Sequence, residues 1–339
     1  MADTQHTWKR QYHVTLNDVA REAGVSQSAA SVVLNGAQSG TRISLQKRRQ
    51  VVEVAERLGY RPNALARSLI SGRTNLIGVY SGRSRLDSRN AFYADLLGGV
   101  FEGAQKNSVN TVVHTTGGEP NNLLDLVSNR ALDGLIIHAG HQDPILRLLG
   151  EFRLPTVSVA DVVEGIPSVV VDDDLGGTLQ ARHMALLGHK HVLVKDSTYH
   201  ASARTRCAAF ERCAETLGIK VTHRYETYFE NSGLDMEDLR VLSEGPDRAT
   251  AVVAWSDFVA EQVCTKLTET GISIPQDVAV VGFDGFRQLI SPKYRLTTIR
   301  APWAEVGAAA TDIVTSLIAR KAVPSVTVLP VEFVRGETT

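Results

Sequence analysis

The polar and apolar positions of residues 15–34 repeat with the period of short helices. Apolar side chains recur at spacings that let two helices bury a shared seam, namely Leu16, Val19, Ala20, Ala23, Val25, Ala30, Val33 and Leu34. Thr15 can cap a helix over 16–23, and Ser26 can cap a second helix over 27–34. Because small residues occupy the connection between them, the pattern predicts a helix-turn-helix.

A third helix and a short, less stable one are predicted next. Ser44 can cap a helix that runs to Leu58 and ends at Gly59. The segment 61–73, here called the hinge, could form two helical turns over 64–70. A helix this short is marginal alone in water, so we expect it to order only when packed against a partner.

Beyond residue 75 the pattern changes to apolar strands alternating with amphipathic helices. The predicted strands cover 76–80, 111–114, 134–138, 156–159, 168–171, 191–195, 251–255 and 278–283. The predicted helices cover 93–106, 178–187, 203–217 and 258–270. Such alternation predicts an α/β body of parallel sheets with helices on both faces, arranged as one large sheet or as two lobes.

Charge separates the helical head from this body. Residues 1–75 carry 11 Lys and Arg against 5 Asp and Glu, whereas the remainder carries 25 against 32, although the whole chain has a net charge of only −1. A basic head on an acidic body is typical of a protein that presents its head to nucleic acid. The alternative is a solvated basic patch without a partner.

Several classes of protein are disfavoured by what the 339 residues lack. Residues 1–13 are polar, which predicts a disordered tail rather than a secretory signal, and no run approaches the ~18 apolar residues of a membrane span. Three cysteines without a Cys-x-x-Cys pair predict neither disulfides nor a zinc site, and Asp172–Asp174 is interpreted as a helix cap rather than a metal site. We therefore expect a cytosolic protein with no cofactor, no metal and no membrane contact.

Common motifs of enzymes are also missing from the sequence. No strand is followed by Gly-x-Gly-x-x-Gly, and there is no phosphate loop, His-Glu-x-x-His or Gly-x-Ser-x-Gly. The glycines of Gly98–Gly103 fall inside a predicted helix. An enzyme on a dinucleotide-binding scaffold is thus a weaker hypothesis than a binding protein.

Four stretches in order resemble the lactose-repressor (LacI/GalR) family. They are Thr15–Ser26 with Val33–Asn35, Leu58–Asn63 with Ala66–Leu69, Val171–Gly177 with Leu187–His189, and Val278–Asp284 with Leu296–Arg300. The resemblance covers nearly the whole chain from about residue 14. It implies a helix-turn-helix head, a hinge helix, and a two-lobed, doubly wound sensor body like a periplasmic sugar-binding protein.

The resemblance also implies domain boundaries. The tail would cover 1–13, the DNA-binding head 14–60, the hinge 61–73 and the effector-binding and dimerisation body 74–339. Within the body, one lobe would comprise about 74–160 and 291–323, and the other about 161–290 and 324–339. Crossovers are placed near 159–162, 286–292 and 322–325, with ligand in the cleft near the carboxyl ends of the strands.

Candidate DNA contacts lie on the second helix and the hinge. The outward positions of the second helix are Gln27, Ser28, Ser31 and Val32, and glutamine can bond adenine through two hydrogen bonds. The resemblance puts Gln27, Ser28 and Val32 at base-reading positions, although there are members of that family that carry Arg where this chain has Val32. The predicted DNA contacts are Thr15, Ser26, Gln27, Ser28, Ser31, Val32, Asn35, Arg61, Asn63, Ala66, Arg67 and Leu69.

Two of these roles have alternatives. By resemblance Leu69 wedges into a central minor-groove step of the operator, but it could instead pack between hinge helices or against the body. Ser26 could serve as a helix cap and a phosphate contact together. Arg61, Arg67 and Arg73 are expected to neutralise phosphates without reading sequence.

The resemblance implies effector contacts in the body: Phe92, Tyr93, Asp161, Arg206, Tyr228, Ser256, Asp257 and Asp284. The planar guanidinium of Arg206 suits hydroxyl or carboxylate groups. Ser256 stands where the family more often has Asn. For each residue a structural ion pair, a helix cap or a core position is the alternative.

The function implied is a homodimeric repressor that binds a pseudo-palindromic DNA operator under control of a small-molecule effector. The effector is expected to be a sugar or sugar phosphate, with a nucleobase as the alternative. The chain ends at Val334–Thr339 without leucine heptads, which favours a dimer over a tetramer. A solute-binding protein is a second hypothesis, disfavoured by the basic head and the lack of a signal peptide.

Overall fold

The computed structural model describes residues 14–35, 43–61, 68, 72–82, 90–114, 127–140, 143–226, 233–286 and 294–339. The chain divides into two compact units, Met1–Asn75 and Leu76–Thr339. No helix among the described residues is long and apolar enough to cross a membrane.

The first unit contains three helices: α1 (Leu16–Glu22), α2 (Gln27–Asn35) and α3 (Leu45–Leu58). Thr15 caps α1 in a reciprocal arrangement, because its Oγ1 accepts the Asp18 N–H at 3.3 Å while the Asp18 carboxylate accepts the Thr15 N–H at 3.0 Å. Gly59 ends α3 in the left-handed conformation, with φ of 69°. The predicted helix-turn-helix, its caps and the third helix are confirmed.

The seam between these helices is the predicted apolar one. Its buried members come from all three helices and from the connection between α1 and α2. They are Val19, Ala20, Ala23, Ala30, Val51, Val54 and Ala55. These side chains are mostly small, so three short helices pack closely with little apolar volume.

The second unit contains twelve strands and seven helices among its described residues. The strands are β1 (Leu76–Ser81), β2 (Asn110–His114), β3 (Gly134–His138), β4 (Thr156–Val159), β5 (Ser168–Val171), β6 (His191–Ser197), β7 (Lys220–Glu226), β8 (Ala251–Ala254), β9 (Ala279–Asp284), β10 (Thr297–Arg300), β11 (Val326–Leu329) and β12 (Glu332–Val334). The helices are α4 (Ala91–Asn107), α5 (Pro144–Phe152), α6 (Asp173–Leu186), α7 (Ala201–Thr216), α8 (Met236–Ser243), α9 (Asp257–Glu269) and α10 (Trp303–Ile318).

The strands form two six-stranded sheets, which settles the choice between one sheet and two lobes in favour of two. The first sheet has the order β11-β5-β4-β3-β1-β2 and the second β12-β10-β9-β8-β6-β7. All pairings are parallel except β10 with β12. We call the part built on the first sheet the N-lobe and the part built on the second sheet the C-lobe.

The lobe boundaries differ from the predicted ones. Because β5 pairs with β4, the chain leaves the N-lobe sheet after Val171 rather than near 159–162. Because β10 pairs with β9, it returns after Arg300 rather than near 286–292, and 287–293 lie outside the described residues. The third crossover joins β11 to β12 rather than falling near 322–325. Apolar runs locate strands, but they do not say which strands pair, and this is why the predicted boundaries were wrong.

Candidate functional site

The first candidate surface is the exposed start of α2. Ser26 caps the helix, since its Oγ accepts the Ala29 N–H at 3.1 Å and lies 2.9 Å from the Ser28 Oγ. Gln27 and Ser28 are exposed, and Ser31 and Val32 are half-buried. No acidic residue lies in the first turn, so the positive end of the helix dipole stays uncompensated there. Such an end can hold a phosphate and present side chains to base edges.

The remaining predicted DNA contacts are only partly described. Thr15 and Arg61 are exposed, and Asn35 is the last residue of α2. Asn63, Ala66, Arg67 and Leu69 lie outside the described residues, so the hinge predictions stay predictions.

The second candidate site lies at the carboxyl ends of the parallel strands in the body. His138 ends β3, Asp161 follows β4, and Asp284 ends β9. Ser256 and Asp257 follow β8 after one intervening residue, Trp255. Parallel strands gather their carboxyl ends at one edge, where ligands bind in doubly wound folds.

Arg206 is one of the most constrained side chains at this edge. Its Nε lies 2.9 Å and its Nη2 2.7 Å from one oxygen of Asp173, and its Nη1 donates to the Trp255 carbonyl at 2.8 Å. The guanidinium carbon also sits 3.5 Å from the centre of the Phe283 ring. Burial raises the pKa of Asp173 to about 6 despite the opposing effect of Arg206. An effector that used Arg206 would therefore share it with Asp173.

Asp257 and Asp284 form a buried carboxylate pair. Asp257 accepts the N–H groups of Gly285 and Phe286 at 2.8 and 3.1 Å and the Thr298 hydroxyl at 2.5 Å. Asp284 accepts the Trp303 indole N–H at 3.1 Å and the Asp257 N–H at 3.3 Å. Burial raises the pKa of both carboxyl groups, and the Asp257 charge raises that of Asp284 further. The pair ties the end of β9 and Thr298 of β10 to the starts of α9 and α10.

The two members of the predicted aromatic pair at the start of α4, Phe92 and Tyr93, occupy different environments. Tyr93 is 1% exposed, and its hydroxyl lies 2.6 Å from the Ser81 Oγ and 2.9 Å from the His138 Nδ1. Phe92 is half-buried, with its ring centre 4.8 Å from that of Trp303 and 5.0 Å from that of His138. The ring of Phe92 thus belongs to the wall of the site, and Tyr93 lies beneath it. Tyr228 lies outside the described residues.

Sequence reasoning missed two histidines that complete this wall. His138 of the N-lobe stacks on His200 of the C-lobe, with ring centres 5.8 Å apart and planes 17° from parallel. His200 stacks in turn on Trp255 at 5.0 Å and 29°. Beside this stack, Asp161 of the N-lobe accepts the Ser202 N–H of the C-lobe at 2.8 Å. The one available signal was position, since His138 ends a strand and His200 precedes a helix.

The remaining predicted contact, Ser256, serves as a helix cap. Its Oγ accepts the Val259 N–H at 3.3 Å and thereby begins α9. The side chain is 4% exposed. Ser256 thus positions the backbone at the end of β8, next to Asp257.

A helix-turn-helix unit joined to a two-lobed body, with polar and aromatic side chains from both lobes gathered at its strand ends, defines a class of protein that binds DNA and senses a ligand. Residues 15–63 match the family described as bacterial regulatory proteins of the lacI family, and residues 179–339 match the periplasmic binding protein-like domain. The chain belongs to the LacI family of bacterial regulatory proteins. It is a transcriptional regulator with a DNA-binding domain and an effector-binding domain, and it is not an enzyme.

Full-length relatives are similar over nearly the whole chain. The ribose operon repressor of Escherichia coli (strain K12) is 30% identical over 311 residues, covering 88% of this chain and 91% of that protein. The catabolite control protein A of Priestia megaterium is 29% identical over 324 residues, covering 92% and 95%. The solved structure of the lac repressor dimer bound to operator and the anti-inducer ONPF is similar with a TM-score of 0.80, 25% identity and coverage of 96% and 99%.

Proposed function

We propose that this regulator is a homodimeric repressor that binds a pseudo-palindromic operator and is controlled by a small molecule held between the lobes. The observation that carries the DNA half of the proposal is the exposed, capped start of α2, which presents Gln27 and Ser28 with no acidic residue in its first turn. A similar protein, the lac repressor, is a dimer bound to operator. Two heads on a two-fold axis would match two half-sites.

Base reading is assigned to Gln27, Ser28 and Val32, and phosphate contact to Thr15, Ser26, Ser31, Asn35 and Arg61. Val32 offers only an apolar contact, for which a thymine methyl is suitable. From the hinge, Asn63, Ala66 and Arg67 would follow the backbone, and Leu69 would enter a central minor-groove step. A regulator that binds operator DNA would act in the cytoplasm, which is the location proposed.

Selection of random duplex DNA by the purified protein at near-physiological salt tests this half. We expect an enriched inverted repeat, and Gln27→Ala should lose about 1–3 kcal/mol of discrimination at one base position of each half-site. Gln46→Ala is the matched control, because Gln46 is an exposed glutamine on α3. Binding without sequence preference, or equal losses in both variants, would contradict the assignment. Leu69→Ala should weaken selection at the central step alone.

The effector half rests on the polar and aromatic groups that face each other across the lobes. Phe92 supplies a ring face, Asp161 and Asp284 supply carboxylates at strand ends, and Arg206 supplies a guanidinium from α7. The proposed set is completed by Tyr93, Tyr228, Ser256 and Asp257. Of these, Tyr93, Ser256 and Asp257 are buried, and they would position the residues that contact the effector. Rings stacked between polar groups suit a sugar, a sugar phosphate or a nucleobase.

An effector that binds one arrangement of the lobes more tightly would shift the population toward it and so change operator affinity. Thermal unfolding of the full chain against sugars, sugar phosphates and nucleobases identifies the class, and the stabilising compound is then tested for a change in operator affinity. Asp284→Asn should abolish the compound's stabilising effect, and Asp174→Asn, an exposed carboxylate on α6, should not. A compound that stabilises both variants equally would place the effector elsewhere.

A further inference from the structure

Three metal-ligating side chains converge between the lobes. One ligand atom from each of His138, Asp161 and His200 lies within 4.8 Å of the others. His138 and Asp161 belong to the N-lobe and are 6% and 2% exposed, whereas His200 belongs to the C-lobe and is half-buried. The cluster is therefore built from both lobes and is not confined to one of them.

His138 is oriented by a chain of hydrogen bonds behind it. Its Nδ1 lies 2.9 Å from the hydroxyl of Tyr93, which in turn lies 2.6 Å from the Ser81 Oγ. With Nδ1 engaged in this way, Nε2 is the nitrogen through which His138 would bind a metal. Metal-binding histidines usually have such a partner on the second nitrogen, because it fixes the ring and its tautomer.

Asp161 is held by a strained turn. The preceding residue, Ala160, has φ of 67°, a left-handed conformation that costs free energy for a residue with a Cβ. Asp161 donates its N–H to the Val159 carbonyl at 2.8 Å, and its own carbonyl accepts the Ser158 hydroxyl at 2.8 Å. Its Oδ1 accepts the Ser202 N–H, so Oδ2 is the oxygen that a metal would take. Strain of this kind is found where a side chain must be held in one place.

His200 approaches from the other lobe. It is the residue at the N-terminal cap of α7, yet its side chain makes no capping hydrogen bond. Its ring instead lies between His138 and Trp255. These two ring contacts hold the imidazole of His200, from the C-lobe, close to the two N-lobe ligands.

We propose that His138, Asp161 and His200 bind a divalent transition-metal ion, of which zinc and cobalt are the test cases, and that this ion bridges the lobes. Two imidazoles and a carboxylate suit these ions, which bind such ligands at about 2.0–2.2 Å. A tetrahedral ion separates its ligands by about 3.4 Å, so ligand atoms up to 4.8 Å apart need to close by no more than about 1.4 Å. Three protein ligands leave a fourth position open to water or to an effector oxygen.

This inference goes beyond the sensing of an organic effector, and it is tested without DNA or effector. The full chain is stripped with a chelator, dialysed and titrated with Co²⁺ by absorption and with Zn²⁺ by calorimetry. We expect one ion per chain, with visible cobalt bands and no thiolate-to-cobalt charge transfer, since no cysteine belongs to the cluster. His138→Gln and His200→Gln should abolish this binding, and Tyr93→Phe should weaken it about 10–100-fold.

His114→Gln is the matched control, because His114 is another N-lobe histidine, partly buried against Tyr80 and not part of the cluster. It should keep the site intact. Circular dichroism checks that each variant is folded, and His200→Gln removes the less buried ring if His138→Gln fails to fold. Absence of binding in the parent chain, or binding that survives in both cluster variants, would overturn the proposal.

The bridging role has its own readout. Zinc should raise the midpoint of thermal unfolding of the parent chain and of His114→Gln, because ligands from both lobes would be joined only in the folded state. The rise should disappear in His200→Gln. Stoichiometric zinc binding without any rise in the midpoint would show that the ion does not hold the lobes together.

Discussion

Arg206 on α7 and Asp173 on α6 form an ion pair that is buried on both sides, with side chains only 4% and 8% exposed. One residue further along α6, Asp174 pairs with Arg212 at the same distance of 2.7 Å, but there the side chains are 64% and 62% exposed. Two successive aspartates thus make ion pairs of equal length between the same two helices. Because the two pairs differ in burial but not in length, comparing them isolates the effect of burial on the stability that an ion pair contributes.

Asp173→Ala should destabilise the body by about 3–5 kcal/mol, since removing one partner leaves the charge of Arg206 buried. Asp174→Ala should change stability by less than about 1 kcal/mol, because solvent screens an exposed pair. Denaturant unfolding of the full chain, followed by circular dichroism, measures both. Equal losses of unfolding free energy in the two variants would show that burial does not determine how much these ion pairs contribute to stability.

A second prediction concerns the close approach of α4 and α10. A Cβ added at Gly99 would lie 1.7 Å from the Ala304 carbonyl oxygen, whereas one added at Gly98 would meet nothing within 4 Å. Gly99→Ala must therefore push the two helices apart and should cost several kcal/mol, more than the roughly 1–3 kcal/mol of ordinary overpacking. Gly98→Ala should instead stabilise α4 by about 0.5–1 kcal/mol, because alanine is the better helix former.

The two glycine variants differ by one position in the same helix, so their unfolding midpoints in urea can be compared directly. If Gly98→Ala lowered the midpoint as much as Gly99→Ala, the close packing of α4 against α10 would not be the reason why alanine is unfavourable at Gly99. The same pair also shows why Gly98–Gly103 is not a phosphate loop. The glycines lie within α4, and Gly99 faces another helix.

A third prediction follows from the ionisation of His223 on β7. Its Nε2 lies 2.9 Å from Asp196, and its Nδ1 bonds Glu211. Burial lowers the pKa of His223, but the bonds to the two carboxylates outweigh burial and raise the pKa above 6.5. The protonated ring therefore stabilises the folded state below the unfolded pKa, and this contribution is lost as pH rises through the folded pKa.

The parent chain should be more stable than His223→Gln, and this difference in stability should be greatest near pH 6 and should shrink toward pH 9. His189→Gln provides a control of opposite sign, because burial lowers the pKa of His189, whose Nδ1 lies 2.7 Å from the Thr250 hydroxyl. The parent's advantage over that variant should decrease as pH falls below about 6.5. Unfolding midpoints across this range measure both, and parallel trends for the two histidines would contradict the assignment.

The sequence predicted strands well where apolar residues run without interruption. β3, β4 and β5 are buried at every position, and their bounds are those predicted. β7, β10, β11 and β12 were missed, and three of them, β7, β11 and β12, lie at the edge of a sheet, whereas β10 lies between β9 and β12. An edge strand faces solvent on one side, so its apolar pattern is diluted, as in β11, where exposed and half-buried residues alternate.

The candidate site was predictable only in part. Asp161, Arg206, Asp257 and Asp284 do gather at the strand ends, but their hydrogen bonds to backbone and to each other could not be read from spacing. His138 and His200 come from different lobes, and their contact depends on which strands share a sheet. The misplaced crossovers and the missed histidines thus have the same physical origin, which is pairing between segments distant in sequence.

The last prediction concerns Arg61, which is exposed just beyond α3 and is assigned to a phosphate. Neutralising a phosphate releases counterions, so Arg61→Ala should weaken binding to all DNA sequences alike and lower the slope of log affinity against log salt by about one. Gln27→Ala should leave that slope unchanged while it relaxes base preference. Fluorescence anisotropy with a selected operator and a scrambled duplex at several salt concentrations measures both quantities. Arg147→Ala, which removes an exposed arginine from α5 in the body, is the matched control and should leave affinity and slope intact. A change in base preference in Arg61→Ala without a change in slope would mean that Arg61 reads a base instead of a phosphate.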